Sequence, residues 1–159
     1  MADFIVREAT QSDLPALGRL GATLMQVHYD VDPQRFMAPG NDAAAGYAWF
    51  LGSQLQRKDS VVFVAERGGV PIGYVYAGIE PRNWKELRDE AGFIHDVVVD
   101  EAARKAGAAA ALLDAAISWL KAAGVPRVVL WTADQNSSAQ RLFSRLGFRR
   151  TMVEMTKEI

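Results

Sequence analysis

The chain has 159 residues, half of them hydrophobic, and a formal net charge of −1. That length favours one domain with a sizeable core, and the near-neutral balance argues against a nucleic-acid-binding surface, which shows as strong net basicity. With no cysteine, and with His28 and His95 far apart, neither disulfides nor a metal site is expected.

The N-terminal MADFIVREAT carries Asp3 and Glu8 and has no apolar run of signal length. No stretch approaches the ~20 apolar residues of a membrane span, so the cytoplasm is the expected location. Residues 4–9 read as a strand. Leu14, Leu17, Leu20, Leu24 and Val27 then recur at helical spacing, with Pro15 in the first turn, where its missing N–H costs little. Gly18 and Gly21 weaken that helix locally. Pro33, Pro39 and Gly40 mark a loop over 29–41, and a second helix follows, capped by Asn41 or Asp42.

Residues 61–66 and 72–79 read as a hairpin turned by Gly68-Gly69. The polar stretch 81–92 holds at most a helical turn. Strands are expected at 93–99 and 127–132, helices at 108–123 and 137–146, and a last strand within FRRTMVEMTKE. A meander followed by βαβ units implies a mixed sheet with helices on both faces.

The passage VVVDEAARKAGAAAALLDAAISWL, from Val97 to Leu120, is the most informative. Leu113, Ile117 and Leu120 share a helix face, while Gly124 ends the helix and Pro126 prevents its resumption. Its start joins unpaired N–H groups and a partial positive charge to Gly107 and the cations Arg104 and Lys105, which are the parts of a pyrophosphate cradle. A plain turn with a solvated basic pair is the competing reading. Neither GxxxxGK[ST] nor GxGxxG after a strand occurs.

Arg104-Lys105-Ala106-Gly107-Ala108-Ala109 after a hydrophobic strand resembles the acetyl-CoA motif [RQ]-x-x-G-x-[GA] of the GCN5-related N-acetyltransferase (GNAT) family. NSSAQRLFSRLGF resembles that family's Asn-x-x-Ala-x-x-Leu-Tyr-x-x-x-Gly-Phe. Asn136, Ala139, Leu142, Gly147 and Phe148 match, but Phe143 stands where the family has tyrosine. The close resemblance spans about residues 91–148. It implies an α/β (α+β) acetyl-CoA N-acyltransferase-like fold: a mixed, mostly antiparallel sheet of six or seven strands, splayed at its centre, with about four helices on both faces. It also implies one N-acetyltransferase domain over 1–159, with a cofactor half at about 91–148 and acceptor-side elements at about 11–90.

The resemblance further implies direct transfer from acetyl-CoA to a primary amine of a small molecule, amino acid, polyamine or peptide. In the family the main chain of Val97, Val98 and Val99 would bond the pantetheine arm. N–H groups from Arg104 through Lys105, Ala106, Gly107 and Ala108 to Ala109 would meet the pyrophosphate, and Asn136, Ala139 and Phe143 would line the cofactor's other side. An ammonium must lose a proton before it attacks, and His95, Asp96 and Glu80 are the candidate groups. Simple alternation places His95 and Asp96 on opposite faces of their strand. Phe143 has no proton for the leaving thiolate, which leaves Tyr74, Tyr76 or water. Tyr29, Asp30, Asp32, Glu80, Arg82, Trp84 and Tyr76 are candidates for the acceptor pocket. Aromatic and acidic groups suit a cationic amine, whereas Arg35 and Arg82 suit an acceptor carboxylate. A homodimer through the last strand or a sheet edge is expected. The rival reading is a catalytically weak or silent acyl-CoA-binding regulatory module, and its support is Phe143.

Overall fold

The computed structural model describes residues 2–159. Five strands form one sheet in the order β1-β2-β3-β4-β5: β1 (Ile5–Glu8), β2 (Ser60–Arg67), β3 (Val70–Glu80), β4 (Ala91–Val99) and β5 (Val128–Leu130). The first four pair antiparallel with their neighbours, and β5 joins β4 in parallel. Helices α1 (Leu14–Val31), α2 (Ala43–Leu55), α3 (Ala108–Ala122) and α4 (Ser137–Arg145) complete the molecule. The expected mixed sheet and four helices are present, but the strand number is five among the described residues rather than six or seven. Residues 149–159 hold no strand. Met152, Val153 and Met155 there are exposed, so the segment has no buried face to hold it in a ladder.

Two apolar clusters sandwich the sheet. Leu17 of α1 and Leu51 of α2 pack on Val62, Val64, Tyr74, Tyr76 and Val98. On the other face, Leu112, Leu113, Ala116 and Leu120 of α3 and Phe143 of α4 pack on Val75, Ala77 and Ile94. The β2–β3 turn uses Gly68 and Gly69 at φ 55° and 81°, values that glycine adopts without steric cost.

The glycines of α1 act through packing. A Cβ at Gly18 would lie 2.2 Å from the Ala44 carbonyl oxygen, and one at Gly21 would lie 2.2 Å from the Tyr47 ring. Both sites therefore let α2 approach α1 closely, at the expense of helix propensity. Arg7 fixes the entry to α1 by bonding Asp13 at 2.8 and 2.9 Å and Glu66 at 2.8 Å. Asp13 is buried, and the Arg7 bonds hold its carboxyl below the usual carboxylate range.

Candidate active site

β4 and β5 are paired for three residues only, Gly92–Val128, Phe93–Val129 and Ile94–Leu130. β4 then continues to Val99 with β3 on one side and no strand on the other. Every second backbone group of this stretch points across the open side. A cavity of about 300 Å³ occupies the parting. Residues 94–97 and 130–132 form its sides, and Asn136, Ala139 and Phe143 close one wall. Leu24, Met25 and His28 of α1, Phe36 and Met37 of the following loop, and Tyr47 of α2 form the opposite wall.

The start of α3 follows the end of β4, and none of residues 98–109 is among those that line the cavity. Lys105 and Gly107 take left-handed conformations at φ 72° and 85°. Gly107 is the N-cap residue and supplies no side-chain cap, so the first N–H groups of α3 are directed outward with their partial positive charge. A Cβ built at Gly107 meets no atom within 4 Å, so the space before the helix is open. Arg104 is exposed, and its Nε lies 3.5 Å from the Val99 carbonyl oxygen.

α4 follows its sequence signature closely. Asn136 accepts a hydrogen bond from Ala139 N–H at 3.2 Å as the N-cap. At the other end Phe148 N–H bonds the Phe143 carbonyl and Gly147 N–H bonds that of Ser144, with Gly147 at φ 92°. This pair of bonds is a Schellman cap, and the Phe148 ring packs 6.0 Å from that of Phe143. The Gly-Phe pair thus seats Phe143, buried, against the cavity.

The catalytic candidates come together through an irregularity. The β3–β4 register shifts at Tyr76/Ala77: Tyr76 stands opposite Asp96 and Ala77 opposite Ile94. His95 is the extra residue of a β-bulge, and a bulge resets alternation. The expectation of opposite faces for His95 and Asp96 is therefore overturned. Ile94, Val97 and Val99 pack on the α3 face, while His95 and Asp96 both contact tyrosines of the α1–α2 face.

His95 lies beside the rings of Tyr76 and Phe93, at 4.8 and 5.6 Å between centroids. Its Nε2 is 3.0 Å from Glu80 Oε1. A carboxylate oxygen accepts, so Nε2 carries a hydrogen; in the neutral imidazole Nδ1 then keeps its lone pair.

Asp96 is partly buried, and its Oδ2 accepts from the hydroxyls of Tyr47 at 2.5 Å and Tyr74 at 3.1 Å. Its Oδ1 takes no protein hydrogen bond among the described residues, yet is not a fully buried orphan. Burial raises the Asp96 pKa above the ordinary carboxylate value, and the two tyrosines oppose this in part. Tyr47 and Tyr74 are pushed well above the usual phenol value, by burial first and by the Asp96 charge second.

The acceptor candidates are divided. Tyr76 is buried, and its hydroxyl donates to Gln54 at 2.9 Å. Tyr29 and Asp30 lie in the last turns of α1, not in a loop, and Asp30 is bonded by Gln26 at 2.7 Å. Neither lines the cavity. Trp84 is 79% exposed and lies in the β3–β4 connection, a turn bridged by Asn83 and Arg88, away from the cavity. Arg35 is taken by Glu154, and Arg82 by Asp89 at 2.8 Å. Sequence reasoning missed Tyr47, His28, Phe36 and Met37. Nothing in the sequence marked Tyr47, whose place opposite Gly21 exists only once α1 and α2 pack. His28 Nδ1 is bonded to the Leu24 carbonyl at 2.9 Å, and its ring meets Phe36 edge-on.

Comparison with known proteins identifies the family. The model of the acetyltransferase (GNAT) family matches residues 22–148, so the chain belongs to that family. Its cofactor is acetyl-CoA. An uncharacterized N-acetyltransferase of Methanocaldococcus jannaschii is 32% identical over 102 residues, covering 63% of this chain and 44% of the relative. A mycothiol acetyltransferase of Parafrankia is 26% identical over 173 residues, covering 95% and 54%. The chain thus spans about half the length of these curated relatives. Among solved structures, a tetramutant of the BH1408 protein from Bacillus halodurans superposes with a TM-score of 0.84 at 24% identity, covering 98% and 99% of the two chains. Aminoglycoside N-acetyltransferase AAC(6')-Iy in complex with CoA gives 0.74 at 20%, covering 98% and 94%. Among the described residues no helix is long and apolar enough to cross a membrane.

Proposed function

We propose that the chain transfers the acetyl group of acetyl-CoA to a primary amine bound in the cavity between α1, α2 and the free half of β4. The observation that carries this reading is the parting of β4 and β5 after Ile94 and Leu130, next to a helix start that no side chain caps. The main chain of Val97, Val98 and Val99 would hold the pantetheine arm. The N–H groups of Lys105 to Ala109 would hold the pyrophosphate, an anion suited to a helix start; that of Arg104 is bonded to the Glu101 carbonyl at 3.3 Å, and Arg104 would add the charge of its side chain. Asn136, Ala139 and Phe143 would form the far wall.

Acetyl-CoA supplies an activated thioester, whose carbonyl carbon takes the amine nitrogen as the C–S bond breaks. Asp96 Oδ1 receives the incoming ammonium. His95, oriented by Glu80, takes a proton from that nitrogen through Nδ1, directly or across one water. The second nitrogen proton leaves after attack, so the products are the amide, the free thiol and one proton. Tyr74 and Tyr76 are set aside as acids, because their hydroxyls are committed to Asp96 and Gln54. A thiol pKa near 8.5 lets the thiolate depart and take its proton from solvent.

Phe143, which has no proton to give, favours a second reading as an acyl-CoA-binding regulatory module. Titration calorimetry with acetyl-CoA and a thiol-release assay over an amine panel decide between the two. Saturable binding with amine-dependent thiol release supports the transferase, binding without release supports the module, and absence of both overturns both. We also propose a homodimer, supported by the exposed apolar side chains of Met152, Val153 and Met155 and the open edge of β5; a monomer mass in sedimentation equilibrium would remove it.

A further inference from the structure

The cavity wall formed by α1, α2 and the loop between them carries a chemical signature that the family assignment leaves open. Leu24, Met25, Phe36 and Met37 supply its apolar surface. Among all the lining residues, the one carboxylate is Asp96 and none is a lysine or arginine. Asp96 has one oxygen saturated by two tyrosines and the other free. No lysine or arginine bonds it, and the two histidines of the lining, His28 and His95, are bonded to the Leu24 carbonyl and to Glu80, so its free oxygen has no side-chain partner among the described residues. Burying such a charge is costly unless something pairs with it. A cation arriving in the cavity would supply that pairing and would be bound the more strongly for the low-dielectric surroundings.

The two cations considered for an acceptor carboxylate are engaged elsewhere. Arg35 adjoins Phe36 and Met37, but its Nε and Nη2 both bond the Glu154 carboxylate. Arg82 is held by Asp89. An acceptor bearing a carboxylate would find nothing to neutralise it. An acceptor bearing several ammonium groups would find one free carboxylate oxygen and press its other charges against methionine and phenylalanine. Glu80 offers no second site, because His95 holds it outside the lining.

We infer that the acceptor is a monoamine: one primary ammonium, seated on Asp96 Oδ1, carried by a compact alkyl or aryl body that packs on Leu24, Met25, Phe36 and Met37, with no carboxylate. This inference rests on the amine-acetylation reading and narrows it. Methionine suits such a wall, because its flexible, polarizable thioether moulds to alkyl and aromatic surfaces alike. The body is small, since the acetyl group and the tip of the pantetheine arm share the same 300 Å³.

The test is calorimetric titration of the full chain with 2-phenylethylamine, phenylalanine, spermidine and kanamycin, repeated after saturation with acetyl-CoA. Phenylalanine is 2-phenylethylamine with a carboxylate added, so that pair isolates the charge argument. We expect 2-phenylethylamine to bind at least ten-fold more tightly than the other three, with kcat/KM in the thiol-release assay following the same order. Equal or tighter binding of phenylalanine, spermidine or kanamycin overturns the inference, as does a lack of saturable binding by 2-phenylethylamine. The acetyl-CoA titration keeps the two levels apart: its failure removes the transferase reading, whereas normal cofactor binding with a polyamine preference removes the monoamine inference alone. Met37 is 74% exposed, so Met37→Glu will fold. It should shift the ratio of spermidine to 2-phenylethylamine affinity at least five-fold towards spermidine, and an unchanged ratio also counts against the inference.

Discussion

At the mouth of α3 the functional surface is main chain. A left-handed Gly107, an uncapped run of N–H groups and an exposed Arg104 are supplied by consecutive residues. In the cavity the surface is side chain. Asp96 comes from β4, Tyr74 from β3, Tyr47 from α2, and the space that admits the Tyr47 ring from Gly21 of α1. The first kind of surface can be copied along a chain as a short motif. The second exists only once four elements are packed. Damage should therefore act locally on cofactor affinity at the first, and jointly on stability and turnover at the second.

The severest break of that contrast is expected from Gly107→Glu. The new side chain meets no protein atom, but it must hold φ 85° and would put a carboxylate where the phosphates belong. Acetyl-CoA binding should fall by at least 100-fold in calorimetry while 2-phenylethylamine binding persists. If both ligands are lost together, the two surfaces are not independent. Next in size is Asp96→Asn, which removes the charge that seats the ammonium. A roughly 10–100-fold loss in kcat/KM is expected, the scale of a charge-assisted hydrogen bond, with acetyl-CoA affinity unchanged.

The same variant sharpens the comparison through its stability. Burial raises the Asp96 pKa in the folded state. The folded state therefore binds the proton more tightly than the unfolded chain, and stability is lost as pH rises from the ordinary carboxylate value through the raised one. Asp96→Asn should accordingly show a higher urea midpoint than the parent at neutral pH. The advantage should shrink as pH falls below the ordinary carboxylate range. A lower midpoint at neutral pH would mean that the carboxylate supports the fold rather than strains it.

Gly21→Ala probes the packing directly. The new methyl would gain up to about 1 kcal/mol of helix propensity. It would also collide with the Tyr47 ring at 2.2 Å, and overpacking of this kind costs about 1–3 kcal/mol. Collision should win, with a lower urea midpoint and a several-fold fall in kcat, while the acetyl-CoA Kd stays within two-fold. Smallest is Phe143→Tyr, which adds a hydroxyl to a ring that lines the cavity. A change in kcat below about three-fold is expected if the thiolate leaves unaided, and a large gain would show that it needs a proton.

Much of the fold was legible because its signals are local. Gly68-Gly69 turns the hairpin, Asn136 caps α4 and Gly147-Phe148 ends it, and the apolar period of 108–122 gives α3 its buried face. The expected last strand failed because strand-forming composition does not by itself provide a partner edge. The opposite-face placement of His95 and Asp96 failed because a bulge depends on how two strands register, and nothing in FIHDVVV announces the extra residue. Trp84 was drawn in by its type alone, and packing leaves it in the solvent.

By itself the sequence determined the order of elements as far as α4, the glycine-started helix and its adjoining cations, since these depend on backbone conformations that a few neighbouring residues impose. Only the tertiary structure decided that β4 and β5 part after three pairs, that His95 and Asp96 share a face, and that Tyr47 reaches Asp96 across Gly21. Each of those rests on contacts between residues tens of positions apart, whose geometry is set when the sheet and helices pack.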